Sequence, residues 1–375
     1  MDFDYGVVPA LILLFAVAII FLCVRRILSL STKSFRTWRK VVERIVLSIA
    51  VLFWAVIGVS AGFNAIALGW FRAHNPPPGD NYTVNGHTMH INCTGSGSPT
   101  IVLEAGLGND ALIWGGVQPE LAKTTRVCGY DRAGFGWSDA LPAPRDADHI
   151  AGELHGLLTE AKITGPIVLM GHSIAGIYMR DFASRFPEGL QGIVFVDGST
   201  PMQQENPAFK AAMSKGPPMW LNVLIQRFMM DAGIPRLFGQ CTRSMPGFDA
   251  QASKLQAEDL CHAQVSAVQA EMNSMDASGK ETVHSGPYGA LPILIFSEDP
   301  AKRGAMPPAM AVAWNQMQED LKKLSTKSRR IIAKGSSHYI QLDRPELLNK
   351  EVPLFIAQVR GVAAEATNYG STVTE

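Results

Sequence analysis

Net charge is absent from this chain. Its 33 lysines and arginines are cancelled by 33 aspartates and glutamates, so no global field draws it to a polyanion and nucleic acid is excluded as a partner. Charge of either sign is scarce as well: 18% of the 375 residues are charged while 47% are hydrophobic, against a charged fraction of about 25% in an average soluble protein. That balance excludes disorder and fibrous architectures for most of the chain and requires a large core, or a segment that avoids water. Cysteine is sparse, with five residues, and no CxxC repeat, HExxH or histidine cluster occurs. A structural zinc site or a metalloprotease helix is therefore not expected, and no metal or organic cofactor is called for.

Two tracts explain the missing charge. Val7–Val24 and Ile45–Phe71 contain no charged residue, and about 20 apolar residues are enough to cross a bilayer. Together they predict a two-helix transmembrane hairpin over residues 1–71. A cleaved signal peptide fits poorly, because the residues before the first tract carry Asp2 and Asp4 but no basic residue. The connecting stretch holds Arg25, Arg26, Lys33, Arg36, Arg39, Lys40 and Arg44 against Glu43 alone. Basic short loops stay in the cytoplasm, which places everything after Phe71 on the periplasmic or extracellular side of a bacterial cytoplasmic membrane. The bilayer is thus one expected partner. Cys23 lies in the first tract; Cys93, Cys128, Cys241 and Cys261 permit three pairings, of which Cys241 with Cys261 closes the most local loop.

After a proline-rich linker over residues 72–81, Asn85-Gly86 marks a hairpin between Tyr82–Val84 and His87–Cys93. Strands follow at Thr100–Leu103, Arg126–Tyr130, Pro166–Met170, Gly192–Val196, Leu291–Phe296 and Ser328–Ala333, of which the first is mostly apolar and Pro166–Met170 reads as buried. Helical patterns at Trp114–Lys123, Asp146–Ala161, Ile174–Phe186, Pro307–Leu324 and Pro345–Val359 separate them. This alternation predicts an α/β domain over 82–375 with a mostly parallel sheet covered on both faces. Residues 199–288 lack a strand repeat and read as an inserted helical cap, in which Trp220, Leu221, Val223, Leu224, Phe228 and Met229 either line a pocket or pack against the sheet.

The junction Pro166-Ile167-Val168-Leu169-Met170-Gly171-His172-Ser173-Ile174-Ala175-Gly176 runs from a buried strand into a helix through small residues around a serine. It resembles the nucleophile elbow of the alpha/beta-hydrolase superfamily, whose pattern is Gly-x-Ser-x-Gly; here Ala175 stands at the last position and glycine is displaced to Gly176. The resemblance extends over most of Tyr82 to Val359 and implies an alpha/beta-hydrolase fold with Ser173 as nucleophile. His338, just beyond the strand Ser328–Ala333, is the expected base, and His172 is assigned to shaping the elbow. Asp299, after the strand Leu291–Phe296, is the preferred acid. Glu298 and Asp197 are the alternatives, Asp197 otherwise reading as a cap on the sheet edge. Asp299 preserves the family's order of serine, acid and histidine.

The same resemblance places the oxyanion loop at Glu104-Ala105-Gly106-Leu107-Gly108. The Leu107 and Ile174 amides are the implied donors, and Ala105 replaces a histidine common in relatives. Asp131-Arg132-Ala133-Gly134-Phe135-Gly136 resembles a turn of these hydrolases and reads as a structural salt bridge and tight loop. A serine at the elbow argues against the haloalkane dehalogenase and epoxide hydrolase branches, which use aspartate there. The implied function is a membrane-anchored serine hydrolase acting on a small-molecule ester, with an amidase or peptidase, a membrane lipid hydrolase, and a non-catalytic sensor or interaction module as the other readings.

Overall fold

The computed structural model describes residues 7–31, 37–142, 144–201, 203–213, 219–245, 247–259, 261, 264–304, 306–362 and 368–375. These fall into two compact units: residues 1–76, 218–244 and 254–263 in one, and 77–217, 245–253 and 264–375 in the other.

The first unit is built on helices α1 (Val7–Ser29) and α2 (Thr37–His74). Both are long and apolar enough to cross a membrane. Each runs past its charge-free tract, because helical hydrogen bonding continues through Arg25 and Arg26 at one end and Arg39 to Arg44 at the other. Lys33 and Arg36, like Asp2 and Asp4, lie outside the described residues. The helices pack through small side chains: a Cβ on Gly58 would stand 3.0 Å from Ala16 Cβ, and Phe15 meets Trp54 edge-on at 5.1 Å. The helix Met219–Asp231 and the Cys241–Cys261 disulfide belong to this unit.

The second unit holds a nine-stranded sheet, ordered β1-β2-β4-β3-β5-β6-β7-β8-β9. Its strands are β1 (Asp80–Val84), β2 (His87–Thr94), β3 (Thr100–Glu104), β4 (Val127–Tyr130), β5 (Ile167–His172), β6 (Leu190–Val196), β7 (Ile293–Glu298), β8 (Ser328–Ala333) and β9 (Thr372–Thr374). The pairs β1–β2 and β2–β4 are antiparallel and all others parallel. Alternate residues of the central strands face opposite layers. Val102, Leu169 and Ile193 join the helices Ala147–Glu160 and Ala175–Arg185 through Leu154, Leu157, Met179 and Phe182. Ile101, Val168, Met170 and Val194 join Trp114 and the helix Pro345–Val359 on the other face. Burial on both faces is why these strands read as continuous apolar runs. Cys93 and Cys128, register partners on β2 and β4, form a second disulfide.

Two features depart from the sequence-based expectation. The helix expected over Trp114–Lys123 is instead a 3-10 turn at Ala111–Trp114 and a single helical turn at Gln118–Leu121. Gly115 and Gly116 interrupt it, and a Cβ on Gly115 would stand 2.6 Å from the Phe248 ring. Strand β9 was not anticipated: three residues near the C-terminus are too few to show a period, yet they pair with β8 and Lys334 N–H donates to the Glu375 carbonyl at 2.7 Å.

Candidate active site

Ser173 follows β5 directly and sits at φ 56°, in the left-handed region that costs a non-glycine residue on the order of 1 kcal/mol or more. Close packing holds it there. Its N–H donates to Val196 O at 3.1 Å and its carbonyl accepts from Ser199 N–H at 2.7 Å. A Cβ on Gly171 would come within 2.8 Å of Ala175 Cβ and Met179 Sδ, and one on Gly176 within 2.7 Å of Ser199 O. Glycine at 176 is thus a contact requirement of the loop after β6. Ala175 is accommodated because Gly171 opposite it has no side chain.

His338 lies five residues past the end of β8 and turns back over Ser173, with Nε2 2.9 Å from Ser173 Oγ. Its Nδ1 is 2.6 Å from Asp197 Oδ2. Here the expected acid is corrected: Asp197, the first residue after β6, faces the imidazole, and Asp299 does not. Asp299 is the cap of a 3-10 turn at Pro300–Lys302; its Oδ1 accepts from Ala301 N–H at 2.9 Å and its Oδ2 from Gly335 N–H at 2.8 Å. Those two amides hold its carboxyl below the usual aspartate range. Glu298 is buried and ion-paired to Arg303 at 2.6 Å. Burial, then the charge of Asp197, pushes its pKa up to about 7.

Asp197 is fully buried, and three donors meet its carboxylate. Glu298 N–H donates to Oδ1 at 3.1 Å; Trp314 Nε1–H, from the helix Pro308–Asp320, donates to Oδ2 at 3.1 Å beside His338. The Trp314 ring also meets the His338 ring edge-on at 5.6 Å. Burial alone lowers the His338 pKa, but the hydrogen bond and charge of Asp197, with Glu298 behind it, outweigh burial and raise it above the ordinary 6.5. His172 is held neutral by burial and by His338, far below its usual range. Its Nε2 therefore serves as the donor to the His338 carbonyl at 3.0 Å, so the elbow histidine fixes the backbone of the other one.

The Leu107 side chain packs against a buried cluster that includes Ile150, Ile174, Ile177 and Tyr178. Gly106 lies so close that a Cβ there would stand 2.6 Å from His172 Nδ1 and 3.4 Å from Ser173 Cβ. The loop that carries Ala105 is held by an arginine. Arg132 donates through Nη1 to the Ala105 carbonyl and through Nη2 to the Gly106 carbonyl at 3.0 Å. Glu271, from the segment between β6 and β7, pairs with Arg132 at 2.7 and 3.0 Å, and both side chains are buried. The expected salt bridge at this turn thus runs from Arg132 to Glu271, while Asp131 accepts from Ala111 N–H and Trp137 N–H and pairs with His90. Removing one partner of such a pair strands a buried charge. Glu271→Ala is expected to lose about 3–5 kcal/mol of stability, measured by chemical denaturation in detergent, whereas Glu120→Ala, which breaks the exposed pair of Glu120 with Lys123, changes it by less than about 1 kcal/mol.

Among the described residues no group of three or more His, Cys, Asp or Glu side chains is placed to hold a metal ion. The polar centre is the serine, aspartate and histidine that follow the parallel strands β5, β6 and β8.

Residues 101–351 match the alpha/beta hydrolase family, and the chain belongs to that family. Among similar proteins, an uncharacterised protein of Schizosaccharomyces pombe is 37% identical over 124 residues, 33% of this chain and 22% of that one. The uncharacterised protein YqjL of Bacillus subtilis is 26% identical over 271 residues, covering 72% of this chain and 88% of its own. The chain spans less than two fifths of the length of the first three curated relatives it matches, at 22%, 16% and 38%. The solved esterase of Thermogutta terrifontis superposes with a TM-score of 0.53 at 20% identity, over 75% of this chain and 98% of that one, a likeness of fold.

Proposed function

We propose that the chain is a membrane-tethered serine hydrolase that cleaves carboxylic esters through an acyl-enzyme. The observation that carries this reading is the continuous relay from Ser173 Oγ through His338 to Asp197, at 2.9 and 2.6 Å. In the first half-reaction His338 Nε2 takes the hydroxyl proton as Ser173 Oγ bonds to the acyl carbon. The carbonyl π pair moves onto oxygen, where the Leu107 and Ile174 amides receive it. Collapse of the tetrahedral intermediate breaks the bond to the alcohol, which leaves with the proton from His338. Water then repeats the sequence: His338 takes its proton, hydroxide adds to the acyl carbon, and Ser173 leaves with the proton as the acid is released. Asp197 keeps Nδ1 protonated and supports the imidazolium in both halves.

Tethering rests on α1 and α2. Leu14, Phe21, Leu52, Val59 and Ile66 are each more than half exposed, unlike the side chains of a soluble core helix, and lipid is the solvent that suits them. The basic residues between the spans orient the hydrolase outward. The disulfides Cys93–Cys128 and Cys241–Cys261 suit an oxidising exterior.

The test is turnover of a panel of p-nitrophenyl esters by the full chain in detergent across pH 5 to 9. Catalysis needs neutral His338. Because Asp197 raises the His338 pKa above 6.5, kcat/KM is expected to fall about tenfold per unit below a midpoint higher than 6.5. No ester turnover at any pH, or a rate independent of pH through this range, contradicts the proposal.

A further inference from the structure

The charge-free stretch of α2 contains three polar residues, Ser48, Ser60 and Asn64, of which Ser60 and Asn64 are four apart and so lie on one face of the helix. Both are buried, and their partners lie in the segment inserted between β6 and β7. Ser60 Oγ–H donates to the Ala232 carbonyl at 2.6 Å, and Asn64 Nδ2–H donates to the Met230 carbonyl at 3.2 Å. Asn64 Oδ1 accepts from Arg236 Nε at 2.8 Å, and Arg236 is held in turn by Glu258. Gly233, at φ 71°, makes this approach possible: a Cβ there would stand 2.8 Å from Asn64 Cβ and 3.0 Å from Ser60 O. The Cys241–Cys261 disulfide closes the same segment. The C-terminal end of the helix Met219–Asp231 is therefore fastened to α2 by buried hydrogen bonds.

The depth of that fastening matters. A span that starts at Ile45 crosses about 30 Å of hydrocarbon in about 20 residues, which ends near Asn64. Ser60 and Asn64 thus lie at the hydrocarbon boundary of the leaflet opposite the basic linker, where unpartnered polar groups are costly. Whatever is fastened to them lies at the same depth. The fastened segment presents Leu224, Ile225, Met229, Leu237 and Phe238, with exposures of 57%, 53%, 41%, 52% and 78%. Asn222 and Gln226 share the exposed arc of the helix, and Arg227 at its edge is one third exposed and paired with Asp231 at 3.5 Å. Such a surface is costly in water and suited to the boundary between headgroups and acyl chains, where amphipathic helices bury about 5–10 Å deep.

We propose that the segment from Met219 to Phe238 is a second membrane contact: Leu224, Ile225, Met229, Leu237 and Phe238 enter the acyl region of that leaflet, and Ser60 and Asn64 set their depth. The proposal rests on the reading of α1 and α2 as membrane spans. It makes the inserted segment an interfacial element, a second contact with the bilayer that begins 145 residues beyond the end of α2 (219 − 74).

The full chain, with Cys23→Ser as background, is reconstituted in phosphatidylcholine vesicles with a single added cysteine at Leu224, Phe238 or Val56. Each carries an environment-sensitive NBD label; Val56 is an exposed position in the middle of the α2 tract. Labels at 224 and 238 are expected to emit in the blue and to be quenched by acyl-chain doxyl lipid to within about twofold of the Val56 label, with little quenching by iodide. Water-like emission and iodide quenching at 224 and 238, with Val56 in lipid, overturns the proposal alone. Water-like emission at all three positions overturns the membrane spans as well.

Discussion

Ser173→Ala is expected to lower ester turnover by about a million-fold, the loss seen when the nucleophile of a working triad is removed. The substitution deletes one hydroxyl and little else. Ser173 Oγ has His338 Nε2 as its partner at 2.9 Å, and the backbone bonds that hold the elbow, from Ser173 N–H to Val196 O and from Ser199 N–H to Ser173 O, use no side-chain atom. Alanine at φ 56° is strained to about the extent that serine is. The variant is therefore expected to fold, keep its unfolding midpoint and bind substrate. What remains should be the small acceleration over water that the Leu107 and Ile174 amides supply without a nucleophile.

Asp197→Asn should lower kcat by about ten-thousand-fold, whereas Asp299→Asn should leave it within about threefold. The difference lies in where the donors are. Asp197 Oδ2 receives both His338 Nδ1 and Trp314 Nε1, and Oδ1 receives Glu298 N–H. An asparagine that keeps its oxygen toward Glu298 N–H turns an NH2 group on two N–H donors. His338 then adopts the tautomer with its proton on Nε2, which cannot accept from Ser173. The midpoint of the acid limb should also move down, because the hydrogen bond and charge that raised the His338 pKa are gone while burial, which lowers it, persists. Asp299 accepts only backbone amides from Ala301 and Gly335, so its amide variant loosens a turn. A reversed order of effects would return the acid role to Asp299.

That Ser173 and His338 would come together was legible in the sequence because each stands beside a strong local signal. Ser173 sits between an apolar strand and a helix start, and His338 follows the last long strand. The acid was harder to place for a geometric reason. Asp197 and Asp299 each follow a strand, β6 and β7 lie side by side in the sheet, and either residue satisfies the order of serine, acid and histidine. Only the path of the loop that carries His338 decides between them. The tight coupling of Asp197 to Trp314, 117 positions away, leaves no trace in spacing. Arg132 and Glu271 were likewise invisible as a pair: the arginine stood in a recognised turn, but its partner lies in an insertion with no repeat to align it. The central strands β3, β5 and β6 were readable because a parallel sheet buried on both faces favours apolar runs. The Gly115–Gly116 break needed knowledge of Phe248, a tertiary neighbour.

The alpha/beta hydrolase fold is shared by many chemistries, so the functional claim stands on three side chains and not on the sheet. The most direct test is intact-protein mass spectrometry after treatment of the full chain with a fluorophosphonate, which reacts only with a serine activated by a base. A single phosphonyl adduct is expected, mapped by digestion to the peptide containing Ser173, slowed strongly in Asp197→Asn, unchanged in Asp299→Asn and absent in Ser173→Ala. An unlabelled wild-type protein, or an adduct that persists in Ser173→Ala, would contradict the account.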